Sequence, residues 1–89
     1  MTDLLACRAF VLEALNTECR MRPKAKGLEW IDNERLAVTV AANKWATAHG
    51  YRTVTVDDVE RVEGMAVGHY DYTSKFALAV AELVVDGAA

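Results

Sequence analysis

The chain has 89 residues, of which 53% are hydrophobic and 26% charged, and its 10 basic and 13 acidic side chains give a net charge of −3. This length predicts a single domain over residues 1–89. The high apolar content and low net charge exclude a disordered chain, and the acidic balance excludes a general polyanion binder.

The first predicted helix runs from about Asp3 to Arg20, with Thr2 as its N-cap. Arg8 and Glu13 fall on the side that this spacing leaves for solvent. The apolar residues that recur at helical spacing are Leu4, Leu5, Val11, Leu12 and Leu15. The helix is expected to end before Pro23, because proline disfavours helical geometry in the residue that precedes it.

The second predicted helix begins at Glu29 or Asp32 and ends at His49. Gly50 follows as the residue that allows a left-handed turn, and Tyr51 is expected to pack back on the helix in a Schellman ending. A β-branched run in the middle favours a strand, but the helical periodicity continues through alanines and favours a helix. The apolar stripe consists of Leu28, Ile31, Val38, Ala41, Ala42 and Trp45.

The third predicted helix has the clearest start signal in the chain. Thr55 is its N-cap and Asp58 stands three residues later, in the arrangement of a capping box, while Val54 and Val59 have the spacing of a hydrophobic staple. The helix is expected to extend to about Val67. Its polar face is acidic and is interpreted as solvated surface: Asp57, Asp58, Glu60 and Glu63.

The fourth predicted helix runs from about Tyr72 to Val85, with Asp71 as its N-cap. Its apolar face is formed by Tyr72, Phe76, Val80, Leu83 and Val84. Four amphipathic helices with short connections predict an all-α fold, a compact four-helix bundle. Because the helices and loops are unequal in length, an irregular or orthogonal bundle is favoured over a symmetric one.

Three features indicate the cellular compartment. The longest apolar stretch is far short of the ~20 residues that span a bilayer, and the first residues lack the positive segment of a secretion signal. Cys7 and Cys19 lie twelve positions apart on one predicted helix, too far to form a disulfide and without metal-site spacing. We therefore expect a cytoplasmic protein with reduced cysteines, no membrane partner and no cofactor.

One candidate binding site is a strip of alternating basic residues around the only proline: Arg20, Arg22, Lys24 and Lys26. In an extended segment these side chains project to one side with a repeat of about 6.6 Å, close to the spacing of phosphates along a nucleic acid strand. Alternatively, the strip stabilises the end of the first helix and solubilises a loop. Residues 53–89 carry 2 basic and 7 acidic side chains, so the remaining surface does not favour nucleic acid.

A second candidate site is the aromatic and polar segment 68–76. His69, Tyr70 and Tyr72 suit a protein-binding surface beside a helix start, although capping and core packing also account for them. Ser74 and Lys75 point in different directions on a helix and form no catalytic dyad. An enzyme would require His69 and Asp71 to line a pocket.

The segment 41–63 resembles part of a known family. It contains Ala46-Thr47-Ala48-His49-Gly50-Tyr51-Arg52-Thr53-Val54-Thr55-Val56-Asp57-Asp58-Val59. A long helix, a short extended Thr-Val-Thr segment and a capped helix follow one another there, as in the second half of a histone fold and in the helical lids of AAA-type ATPases. The resemblance implies a handshake dimer with DNA contacts through its loops, and it assigns no functional residue here.

The sequence thus favours a small non-enzymatic helical module that binds another protein as a regulator, inhibitor or assembly accessory. The predicted contact residues are His69, Tyr70, Tyr72, Arg20, Arg22, Lys24 and Lys26. A nucleic-acid-associated module that uses the basic strip is the alternative. A homodimer is compatible with either function, and the sequence leaves open whether the chain is a viral accessory protein or a cellular regulator.

Overall fold

The chain is a bundle of four α-helices, and the described parts of it contain no strand. The computed structural model describes the backbone of residues 2–21, 28–66 and 71–86, and the side chains of residues 3–17, 34–64, 66 and 71–86. The helices are α1 (Thr2–Met21), α2 (Leu28–His49), α3 (Val56–Ala66) and α4 (Tyr72–Val85). The predicted all-α four-helix architecture is therefore confirmed.

Packing between helices places α1 against α2 and α4, and α3 against α4 and α2. One core of buried apolar side chains draws on all four helices: Cys7, Val11, Leu15, Val38, Ala42, Trp45, Ala46, Val54, Val59, Val62, Ala66, Phe76, Ala77, Val80, Ala81 and Val84. The radius of gyration is 12.1 Å, close to the ~12 Å expected of a folded chain of this length.

Two expectations for α1 were wrong. Leu5 is 57% exposed rather than part of the core, because its position on the helix faces away from the line of Cys7, Val11 and Leu15. Arg8 was expected in solvent, yet it is only partly exposed and its Nε is buried without a hydrogen-bond partner. In addition, α1 already includes Thr2, the residue predicted to precede it as N-cap.

The end of α2 has the predicted Schellman geometry. Gly50 takes a φ of 79°, and the Tyr51 amide donates to the Ala46 carbonyl at 2.8 Å. The Tyr51 ring stacks on Trp45 with 5.5 Å between ring centroids, and the His49 ring stacks on Trp45 at 4.0 Å. These contacts turn the chain sharply towards α3.

The side chain of Asn43, for which the sequence analysis predicted no role, fixes the connection from α2 to α3. Asn43 accepts a hydrogen bond from the Val54 amide at 2.7 Å and donates one to the Val54 carbonyl at 2.9 Å. Both polar groups of this non-helical residue are thereby satisfied, and Val54 is held against the core. The asparagine thus holds the residue before the α3 cap beside the middle of α2.

The capping box of α3 is confirmed. The Asp58 amide donates to Thr55 Oγ1 and the Thr55 amide donates to Asp58 Oδ2, each at 3.1 Å. The hydrogen bonds from Thr55 hold the pKa of the Asp58 carboxyl below its usual value, and Arg61 forms an ion pair with it. Val54 and Val59, the predicted staple, are both buried.

The bounds of α4 are confirmed, but its predicted cap is not. Asp71 precedes the helix, yet its side chain makes no capping hydrogen bond, and its Oδ1 is buried without a partner. The buried face consists of Phe76, Ala77, Val80, Ala81 and Val84. Of the helices in the described ranges, none is long and apolar enough to cross a bilayer.

Candidate functional site

Most of the predicted contact residues lie outside the described part of the chain. His69 and Tyr70 precede its last segment, and Arg22, Lys24 and Lys26 lie between α1 and α2. For Arg20 the helical backbone is described and the side chain is not. The aromatic surface and the basic strip therefore remain predictions, and only Tyr72 can be placed.

Tyr72 is the first residue of α4 and is half-buried. Its hydroxyl donates to Glu63 Oε2 at 2.7 Å, and its ring lies 5.6 Å from Phe76 in a tilted contact. Burial raises the pKa of the Tyr72 phenol far above its ordinary value, and the hydrogen bond to Glu63 adds to the effect. The hydroxyl thus points inward and holds α4 to α3.

Glu63 is the centre of a polar cluster between α2, α3 and α4. Only 4% of its side chain is exposed, and its Oε1 accepts a hydrogen bond from Arg35 Nε at 2.5 Å. Arg35 also lies 3.6 Å from the exposed Glu60 carboxylate. The expectation that Glu63 is solvated was wrong, whereas Glu60 does face solvent. Arg35, Glu60, Glu63 and Tyr72 are called the Glu63 cluster below.

Glu34 extends the buried charge next to this cluster. The residue is wholly buried on α2, and its charge contributes to the raised pKa of Tyr72. One turn after Arg35, the buried side chain of Thr39 donates a hydrogen bond from its hydroxyl to the Arg35 carbonyl at 2.7 Å. Among the side chains described on α2, the buried polar residues are Glu34 and Thr39, and from Ala41 onward the buried residues are apolar.

The spacing of the sequence contains a signal for these buried glutamates. Glu34 stands four residues before Val38, in the same apolar stripe, and Glu63 stands four residues after Val59. Side chains four apart share a helix face, so both carboxylates occupy core positions. Glu63 was assigned to the surface because of its residue type and not its position on the helix, and no role was predicted for Glu34.

The Glu63 cluster acts as a structural crosslink. Both carboxylate oxygens of Glu63 already accept a short hydrogen bond, and Tyr72 is held as the neutral phenol. A general base needs an oxygen within reach of a substrate proton, and with 4% of its side chain exposed Glu63 gives a substrate little access to either oxygen. Nor do any three His, Cys, Asp or Glu side chains among the described residues lie close enough together to hold a metal ion.

Three exposed aliphatic side chains lie on α2 and at the start of α3, near the Glu63 cluster. Leu36 is 56% exposed and Val40, one turn further along α2, is 59% exposed; on α3, Val56 is 42% exposed. Asn43 contacts Val54 and Arg35 contacts Glu60, so the α2 turns between them run beside the first turns of α3. Leu36 and Val40 are therefore on the α2 turns that run beside the start of α3, and together with Val56 they are called the outer strip below.

A groove between α3 and α4 lies apart from the outer strip. Its volume is about 200 Å³. Its lining is apolar apart from one basic and one acidic side chain, and consists of Val62, Ala66, Lys75, Leu78, Ala79 and Glu82. Leu78 is 36% exposed at its edge.

Comparisons with known proteins give no assignment of this chain. No family model, curated protein or solved structure matches it. The surfaces described above therefore supply the grounds for a functional proposal.

Proposed function

We propose that this protein is a non-enzymatic helical module that binds another protein through its outer strip, as a regulator, inhibitor or assembly accessory. The observation that carries the proposal is the exposure of Leu36, Val40 and Val56 on adjoining turns of two helices. Single exposed aliphatic residues are common on protein surfaces, but a contiguous apolar patch is typical of an interaction site.

The chemistry of the strip indicates what the partner presents. Leu36 and Val40 are four residues apart and form a ridge along α2, to which an aliphatic helix face can pack. On the α3 side, the exposed carboxylates of Asp57 and Glu60 flank Val56. On the α2 side the exposed Lys44 continues the ridge one turn after Val40. An amphipathic helix with aliphatic side chains at its centre, basic residues towards α3 and an acidic residue towards Lys44 complements this surface.

The experiment is affinity capture from a lysate of the source cells, with the wild-type chain and the double variant Leu36→Asp and Val40→Asp as parallel baits. The two carboxylates that this variant introduces are solvated in the free protein. An apolar contact with the partner would remove their water, which costs free energy and weakens binding. We expect a stoichiometric partner on the wild-type bait and at least a tenfold loss of it on the double variant.

Leu5→Asp provides the matched control, because Leu5 is exposed to 57% and Leu36 to 56% but the two lie on different helices. This variant is expected to retain the partner. Circular dichroism of each bait checks that its helices are intact. Absence of any stoichiometric protein, or equal capture by the wild-type and double-variant baits, contradicts the proposal.

A cytoplasmic location is also part of the proposal. Cys7 is a free thiol with no exposed surface, and burial raises its pKa to about 11. Such a thiol is an apolar packing group that suits a reducing compartment. Nucleic acid binding through residues 20–26 remains the alternative prediction, and its test is a salt-dependent mobility shift that weakens in Arg22→Ala and Lys24→Ala.

A further inference from the structure

The α3–α4 groove has opposite charges at its two ends. Lys75 and Glu82 are seven residues apart on α4, two turns along one face, which separates them by about 10 Å along the helix. Both side chains are exposed, and neither forms an ion pair with another of the described residues. The groove therefore offers a partner a cation at one end and an anion at the other.

The apolar part of the groove lies between these charges. Leu78 and Ala79 are on opposite sides of the line that joins the two charged residues, and Ala79 is on the side that packs against the core. The α3 side is lined by two buried residues, Val62 and Ala66. Leu78 thus forms one wall and α3 the other, and the small side chain of Ala79 leaves the space between them open.

This space has room for one large aliphatic side chain. Its volume is about 200 Å³, and a cavity of roughly 150 Å³ is enough to hold a benzene-sized group. Transfer of a leucine side chain from water to such a site stabilises a complex, whereas a polar side chain would lose its hydration there. The groove therefore favours a leucine-like residue, and the charges determine which residues suit the positions on either side of it.

We propose that the groove binds an amphipathic helix of another protein that carries an acidic and a basic residue two turns apart, with leucines between them. Residues seven apart on such a helix have the spacing of Lys75 and Glu82, so each charge lies level with its opposite. The residues three and four positions after the first charge lie on its two flanks, and the one nearer to α3 enters the groove. A partner whose acidic residue comes first runs parallel to α4, and one whose basic residue comes first runs antiparallel.

This site is separate from the outer strip, and the inference does not rest on the proposed function. The outer strip lies where α2 runs beside the start of α3, whereas the groove is lined by later turns of α3 and by α4. Occupancy of both surfaces would bring two helical segments together on one small domain. That is the action of an assembly accessory, and it differs from that of a simple inhibitor.

The probe is a synthetic alanine-based helical peptide that carries Glu, two adjacent Leu residues and Lys at this spacing. Titration of the isotope-labelled protein with up to about 1 mM peptide is followed in heteronuclear NMR spectra. For one buried side chain and two exposed ion pairs, we expect a dissociation constant on the order of 100 μM. The shifts should be concentrated at the methyl groups of Leu78 and Val62. The double variant Leu36→Asp with Val40→Asp is the control and is expected to bind the probe as the wild type does.

Charge reversal tests whether the two ends of the groove select the partner. Lys75→Glu makes both ends acidic, so one like-charged pair forms with the probe in either chain direction, and we expect roughly fivefold weaker binding. A second peptide, with Lys in place of the Glu, is complementary to this variant and is expected to bind it more tightly than the wild type. Circular dichroism of Lys75→Glu checks that its helices are intact.

A third peptide, with Ala in place of both Leu residues, separates packing from charge and is expected to bind at least tenfold more weakly than the probe. The proposal is overturned if the probe causes no saturable shifts at 1 mM, or if the leucine-free peptide binds as tightly as the probe. It is also overturned if Lys75→Glu leaves the preference between the two charged peptides unchanged. Shifts confined to the outer strip would overturn it too and would leave the proposed function standing.

Discussion

The buried face of α4 and the interface between α2 and α3 are held together by different forces. The α4 face consists of five wholly buried residues without a polar side chain, from Phe76 to Val84. The α2–α3 interface relies on the ion pair of Arg35 and Glu63, whose Nε and Oε1 atoms lie 2.5 Å apart, and on the hydrogen bonds between Asn43 and Val54. Apolar burial is strong but directionless, whereas hydrogen bonds fix which atoms meet. The polar interface therefore sets the register of α3 on a core that the apolar face stabilises.

The largest effect is expected on the apolar side. Phe76→Ala removes the largest wholly buried side chain in the described part of the chain and leaves a cavity in the core. We expect the free energy of unfolding to fall by about 3–5 kcal/mol, measured by urea denaturation. Phe76→Leu keeps most of the volume and should cost about half as much or less. Equal effects of the two variants would show that the cavity does not dominate.

On the polar side, Glu63→Ala removes the buried carboxylate that accepts hydrogen bonds from Arg35 and from the Tyr72 hydroxyl. We expect a loss of about 2–3 kcal/mol, below the value for fully buried pairs because Arg35 keeps some contact with water. Glu60→Ala removes the exposed carboxylate on the same arginine and is the control, with an expected loss within about 0.5 kcal/mol. Similar losses in the two variants would mean that burial of the pair is unimportant.

Tyr72→Phe sharpens the comparison by removing one hydrogen bond and keeping the ring. We expect a loss of about 1.5 kcal/mol at neutral pH, since the bond is to a charged acceptor. The raised pKa of Tyr72 adds a pH dependence: its contribution is complete below the ordinary tyrosine pKa of 10.0 and falls as pH rises above it. The difference between wild type and Tyr72→Phe in urea midpoints should therefore shrink above pH 10. A constant difference up to pH 11 would contradict this assignment.

The smallest effect concerns the start of α3, where a local motif supports the polar interface. Thr55→Ala is expected to cost about 1 kcal/mol, the usual value for loss of an N-cap. Asp58 has a lowered pKa in the folded chain, so its contribution is complete above its ordinary pKa of 3.8 and is lost as pH falls through the lower, folded value. The gap between wild type and Asp58→Asn should accordingly close in acid. A gap that persists at pH 2 would rule out the carboxylate as the capping group.

Local chemistry made the helix boundaries predictable from sequence. The capping box of α3 and the glycine after α2 depend on residues within one turn of each other, and the structure has both as expected. Tertiary contacts were predictable only in part. Leu5 has core spacing but faces away from both neighbours of α1, and Asp71 occupies a cap position without making the capping bond. Such outcomes depend on which helices meet, which periodicity within one helix does not determine.

The proposed binding surface was the least predictable feature. Leu36 and Val40 are ordinary aliphatic residues in a helical pattern, and only the placement of α3 beside α2 joins them to Val56. The Glu63 cluster was not predicted either, because glutamate is usually a surface residue. Its burial depends on an arginine and a tyrosine from two other helices.

The central claim is that the residues that fold this protein and the residues proposed to bind a partner are separate sets. The most direct measurement follows both properties in one variant, Leu36→Asp with Val40→Asp, by urea unfolding and by titration with the captured partner. We predict a free energy of unfolding within about 1 kcal/mol of wild type, because these side chains already face solvent, together with at least tenfold weaker binding. Binding that persists at wild-type strength, or that is lost only because the chain unfolds, would contradict the claim.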